Sequence, residues 1–145
     1  LMKSYIKNNF LIIRNKYGVR PWQYVLDSIW GYLLACQFTI NNPKYNSFNF
    51  GPNESKTINV NDVIKIFEST KKFNLKIRYL KKNEYEESKE LNLNSKKAFK
   101  LLKWKNKKNI TQGLTETINW YQEFYLKKNN IEDISTELIK SYFSK

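Results

Sequence analysis

One stretch constrains this chain more than any other: Val19-Arg20-Pro21-Trp22-Gln23-Tyr24-Val25-Leu26-Asp27, running on into Ser28-Ile29-Trp30-Gly31-Tyr32-Leu33-Leu34-Ala35. Arg20 is one of only three arginines in a chain that otherwise uses lysine. Pro21 pushes Arg20 toward an extended backbone, which sets the guanidinium on a strand or loop end just ahead of a helix. From Val25 to Ile40, Leu26, Ile29, Trp30, Leu33, Leu34 and Phe38 recur at spacings of three and four, with more apolar positions between them. That pattern predicts a central helix buried on most sides. Arginine offers a planar fork of donors that grips phosphate oxygens two at a time, which lysine does not. Two readings of Arg20 follow. It is an anion-binding group, or it packs on Trp22 or Trp30 or pairs with Asp27.

The length of 145 residues fits one domain, 1–145, able to bury roughly two thirds of its unfolded surface. A net charge of +13 would suit nucleic acid, an anionic membrane surface or a phosphorylated small molecule. The lysines are spread along every segment, without an arginine cluster or a stacking motif, and high lysine, asparagine and isoleucine together resemble low-GC coding sequence. Nucleic acid is therefore disfavoured. One cysteine rules out an internal disulfide, and with no histidine an ordinary zinc site and a histidine-based triad are excluded. Cys36 is expected as a small core residue. The longest apolar run, Ile29 to Ile40, is interrupted by Gln37 and too short to span a bilayer. No signal-peptide pattern opens the chain, which points to the cytoplasm. The sequence begins on Leu1, which suggests a fragment, with Met2 as an alternative start.

Taken in order, Leu1 to Asn8 predicts the last turns of a helix, Phe10 to Arg14 a short strand, and Asn15 to Gly18 a turn. After the central helix, Asn41 to Asn46 is a loop and Phe48 to Pro52 a strand ending in a Gly-Pro break. Asn59 or Asn61 caps a helix to about Phe73 with Val60, Val63, Ile64 and Phe67 inward. Leu75 to Leu80 alternates as a strand, Leu75, Ile77 and Tyr79 inward against Lys76, Arg78 and Leu80, with Arg78 on its solvent face. A charged loop and short strand lead from Lys81 to Leu93, and Asn94 or Ser95 caps a helix burying Ala98, Leu101 and Leu102. The next helix runs from Thr111 to about Leu126 with Leu114, Ile118, Tyr121 and Tyr125 on one face. Ile134-Ser135 and Ile139 fit a staple around a capping serine. A last helix then turns Leu138, Ile139, Tyr142 and Phe143 inward.

Arg20-Pro21-Trp22-Gln23, Val25-Leu26-Asp27 and Gly31-Tyr32-Leu33-Leu34-Ala35 resemble the segment that opens the substrate-binding half of CDP-glucose 4,6-dehydratases, which are extended short-chain dehydrogenase/reductases. Further blocks follow in that family's order. They are Leu11-Ile12-Ile13-Arg14-Asn15, Asn49-Phe50-Gly51-Pro52, Glu86-Glu87 with Leu91 and Leu93, Leu102-Lys103-Trp104-Lys105, and Gly113-Leu114, Thr117 and Trp120-Tyr121. Tyr24 and Glu86 stand where the family has histidine. Lys103 stands where it has glycine.

The resemblance implies an α/β, small mixed helix-and-short-strand domain like the C-terminal substrate-binding domain of those enzymes, without the Rossmann sheet. It implies that Arg20 grips the diphosphate of a nucleotide sugar, with Gln23, Trp22 and Tyr24 near it. It also places Arg14 and Glu87 on the substrate side. In the complete enzyme, NAD oxidises the sugar at C4, water leaves across C5 and C6, and the hydride returns to C6. Gly18, Gly31, Gly51 and Gly113 are too far apart for a dinucleotide turn. The single Tyr-x-x-x-Lys spacing, Tyr85 to Lys89, falls in a charged loop and is read as chance. The expectation is a substrate half that binds CDP-glucose, binds no NAD alone, carries no catalytic residue and turns nothing over. The alternatives are a fragment of another nucleotide-sugar epimerase or dehydratase, or a stand-alone basic module binding nucleic acid or an acidic partner. The partner of the substrate half would be a Rossmann half, the complete enzyme being compatible with a homodimer. Without that partner it would expose apolar surface and self-associate or dissolve poorly.

Overall fold

The computed structural model describes residues 1–52, 57–80 and 88–144. Among these, six helices and two short strands follow in the order α1 (Met2–Ile6), β1 (Leu11–Ile13), α2 (Val25–Asn41), α3 (Val60–Lys71), β2 (Ile77–Tyr79), α4 (Lys96–Leu102), α5 (Ile110–Tyr125) and α6 (Ile131–Phe143). β1 and β2 are parallel, Leu11 opposite Ile77 and Ile13 opposite Tyr79. A parallel pair needs a crossover, and α2 and α3 lie within it. This is the small mixed domain that the sequence implies.

Two apolar clusters hold it together. The first gathers Met2, Ile13, Ile64, Phe67, Phe73, Leu75 and Ile118 between α1, the strands, α3 and α5. The α3 stripe is buried as its spacing predicts, Phe67 completely. Its start is fixed by a capping box, Asn59 Oδ1 accepting from Asp62 N at 3.0 Å and Asp62 Oδ2 accepting from Asn59 N at 3.2 Å. The second cluster is Ala98, Leu102 and Trp104, with Trp30, Leu34, Ala35, Phe38, Phe48 and Phe50 packed against it. Here α2 lies on α4. Gly31 has a packing reason, since a Cβ there would come within 2.5 Å of the Phe50 ring.

Four expectations are corrected. α2 is not buried on most sides: Val25, Ile29, Tyr32, Leu33 and Ile40 are exposed along one stripe, and Cys36 lies exposed with them instead of in the core. The segment 48–52 alternates inward Phe48 and Phe50 with outward Asn49 as a strand would, but it joins no ladder among the described residues. Tyr79, expected inward, is exposed and carries Lys16 over its ring. Finally, α6 starts at Ile131, because Asn130 Oδ1 accepts from Glu132 N at 2.8 Å and Asp133 N at 3.4 Å. Ser135 is then inside the helix and accepts from Trp120 Nε1 at 3.0 Å. Ile139 and Phe143 are exposed, whereas Tyr142 is buried.

Candidate functional site

The backbone ahead of Pro21 is gripped from two sides. Val19 bridges to Asn59 antiparallel and to Glu90 parallel. Its N–H donates to Lys89 O at 3.0 Å, and its carbonyl accepts from Leu91 N at 3.2 Å. Val60 N donates to Gly18 O at 3.2 Å, and Asn61 N to Lys16 O at 3.0 Å, so the start of α3 anchors the same turn. Arg20 is thereby held on a fixed extended segment, as Pro21 predicts. Its Nη1 donates to Val19 O at 2.7 Å and Ser88 O at 3.1 Å, which fixes the guanidinium plane. Arg20 makes no ion pair with Asp27.

Arg20 lines a cleft of 270 Å³ together with Arg14, Asn15 and Trp22, walled by Ile12 and Val60. Two of the three arginines of the chain therefore meet at one cleft. The pyrrole N–H of Trp22 donates to Ile58 O at 3.1 Å, fixing the indole against the wall. The side chain of Gln23 has both its polar atoms buried and without a hydrogen-bond partner among the described residues. Buried amides are nearly always paired, which makes this one unusual. Tyr24 does not line the cleft. It is buried against α5, where Gly113 has no room for a Cβ, the nearest atom, Tyr24 Cβ, being 2.8 Å away. Its hydroxyl has no hydrogen-bond partner among the described residues, and burial, with the nearby charges of Glu116 and Asp27, pushes the phenol well above the ordinary tyrosine range. Glu87 and Tyr85 lie outside the described residues.

The residue that sequence reasoning undervalued is Asp27. It is completely buried, in the first turn of α2 and four residues after Gln23. Its Oδ1 accepts from Lys107 N at 2.8 Å and from the Tyr142 hydroxyl at 2.6 Å, and its Oδ2 from Lys108 N at 3.4 Å. Its carbonyl accepts from Trp104 Nε1 at 2.9 Å. Burial and the Asp27 carboxylate together hold the Tyr142 phenol far above its usual range. Lys108 in turn pairs with Glu116. One carboxylate thus ties α2 to the loop before α5 and to the end of α6. The available signal was a lone acid in the first turn of an otherwise apolar helix, which must find donors if buried.

No protein-family model matches the chain. In sequence it is similar to the CDP-glucose 4,6-dehydratase of Salmonella typhimurium strain LT2, 27% identical over 150 residues, covering 99% of this chain and 40% of that protein. The matched portion is that enzyme's C-terminal part. In structure it is similar to the UDP-glucuronic acid 4-epimerase of Bacillus cereus solved with UDP-glucuronic acid and NAD, at TM-score 0.73 and 23% identity, covering 86% of this chain and 39% of that one.

The fold matches that of the C-terminal part of extended short-chain dehydrogenase/reductases.

The UDP-glucose-4-epimerase of Stenotrophomonas maltophila, with NAD and formylated UDP-arabinopyranose, matches at TM-score 0.72 and 18% identity over 85% of this chain and 38% of its own. The dTDP-glucose 4,6-dehydratase of Bacillus anthracis strain Ames, with NAD, matches at 0.63 and 18% over 86% and 38%. The chain therefore spans about 40% of the length of the relatives it matches. Among the described residues no helix is long and apolar enough to cross a membrane, and no cluster of acids and cysteine could hold a metal ion.

Proposed function

We infer that this domain is the substrate-binding half of a nucleotide-sugar epimerase or dehydratase, of the CDP-glucose 4,6-dehydratase type, working in the cytoplasm. The observation that carries the reading is the convergence of Arg14 and Arg20 on one cleft beside Trp22. A diphosphate carries two charges and a row of oxygens, and two guanidinium groups on a preformed wall suit it. The tethering of Arg20 through Nη1 lowers the ordering cost of binding. Gln23, its amide buried outside the lining of this cleft, and Tyr24, packed on α5, would support the site from behind, and Glu87 is assigned to the substrate side on the resemblance alone. NAD, the sugar chemistry and a homodimer interface belong to the remaining part of such an enzyme, a Rossmann half. The exposed stripe of α2 and the unladdered segment 48–50 are the surfaces available for that half.

Titration of the chain with CDP-glucose tests this. Binding is expected, weakened at least about tenfold by Arg20→Ala, a loss in the range of charge-assisted hydrogen bonds. Lys103→Ala, at the C-terminal end of α4 and outside the lining of this cleft, is expected to change it little. Equal losses from both substitutions, or salt-sensitive binding of any duplex DNA in preference, would instead favour a diffuse basic surface.

A further inference from the structure

A larger cleft, of 490 Å³, lies between the Gly51-Pro52 break, the segment 93–95 and the turn after α4. Its walls are locked before any ligand arrives. Ser95 Oγ accepts from Gly51 N at 2.7 Å and donates to Gly51 O at 3.3 Å. Leu93 packs on Gly51 so closely that a Cβ there would lie 2.6 Å from Leu93 Cβ. Trp104, tied by its indole N–H to Asp27, forms the base. Phe99 lines the cleft 57% exposed, a large ring left in water. Lys96 and Lys105 line it as well, and neither ammonium has an ion pair or hydrogen bond among the described residues. Two like charges at one apolar cleft repel each other, and an anion between them removes that repulsion. Apolar walls with a few polar groups are the usual make-up of a small-molecule site.

We propose that this cleft is a second binding site, for a flat organic anion, its ring lying against Phe99 and Leu93 and its negative group held between Lys96 and Lys105. The site is independent of Arg20, and the inference does not rest on the function proposed above. The probe is adenosine monophosphate, titrated into the uniformly nitrogen-labelled chain while the Trp104 indole resonance is followed. Saturable binding in the submillimolar range is expected, with adenosine and inorganic phosphate each at least about tenfold weaker, since each lacks one of the two contacts. Lys96→Glu with Lys105→Glu should weaken it at least about tenfold. Phe99→Ala should weaken it too, and Arg20→Ala should leave it unchanged. Lys96→Gln with Lys105→Gln serves as a gentler pair should the charge reversal disturb folding, which circular dichroism reports. Any of four results would overturn the proposal. These are absence of saturable binding, equal binding of inorganic phosphate, indifference to both lysine pairs, or loss on Arg20→Ala.

Discussion

Of the two apolar clusters, one draws on isoleucine, leucine and phenylalanine and the other on tryptophan, phenylalanine and alanine, and they end in different states. The α3–α5 cluster closes on itself, with Phe67 and Ile118 at 0% exposure and the β1–β2 pair as its lid. The α2–α4 cluster is closed on one side only. α2 gives Trp30, Leu34 and Phe38 to Trp104 and leaves Tyr32 60% and Leu33 55% exposed on the opposite side. An apolar helix with two apolar faces and one partner is half a packing arrangement. The difference teaches that one cluster holds the domain together, whereas the other also offers a surface.

The largest test of this contrast is truncation. Phe67→Ala should cost about 3–5 kcal/mol, the usual loss for a phenylalanine in a closed core. Leu33→Ala should cost under about 1 kcal/mol, because its side chain is already in water. Urea denaturation measures both. Similar losses from the two would mean that the α2 stripe is buried in solution, by a second copy or by rearrangement.

The next test concerns the junction between the clusters. Tyr142→Phe removes the hydroxyl from Asp27 and should cost about 1.5–3 kcal/mol, as for other hydrogen bonds to a charged group. The same pair gives a pH signature. Tyr24 and Tyr142 both have folded values raised above that of the unfolded chain. Their contribution is therefore complete below pH about 10, where unfolded tyrosine ionises, and is lost as pH rises beyond it. Thermal melts should fall in the alkaline range, less steeply in Tyr142→Phe. An unchanged slope would mean that Asp27 is held by the backbone amides alone.

A smaller effect on stability accompanies a change in association. Val25→Lys with Leu33→Lys should alter stability by no more than about 0.5 kcal/mol, as surface changes do. It should also shift the chain from self-associated to monomeric in sedimentation velocity. A wild-type chain that is already a clean monomer would break the comparison. The smallest effect is expected at Lys103. It closes α4 in the left-handed region, φ 55°, where a side chain costs about 1 kcal/mol relative to glycine. Lys103→Gly should raise stability by up to about that amount in the same urea titration.

Much of this was legible in advance because it is local. Pro21 and the apolar spacing located the turn and α2, and Asn59 and the Val63-Ile64-Phe67 stripe located α3. Arg20 could be singled out from composition and from Pro21, and Arg14 from the resemblance, but not their meeting at one cleft. That depends on Val19 pairing with partners forty and seventy-one positions away, Asn59 and Glu90. The start of α6 was misplaced because Asn130 and Ser135 are both good caps, and only the chain's path brings Trp120 to the serine.

What the sequence by itself determined is the helices, the two paired strands and their order, since helix spacing, caps and proline act within a few residues. Tertiary structure decided which face of each element is used. It left one side of α2 bare, kept segment 48–50 out of any ladder among the described residues, and buried Asp27 among donors from residues 107, 108 and 142. The physical reason is that burial and pairing depend on neighbours that only the folded chain supplies, while an amphipathic pattern records at most that a face is apolar.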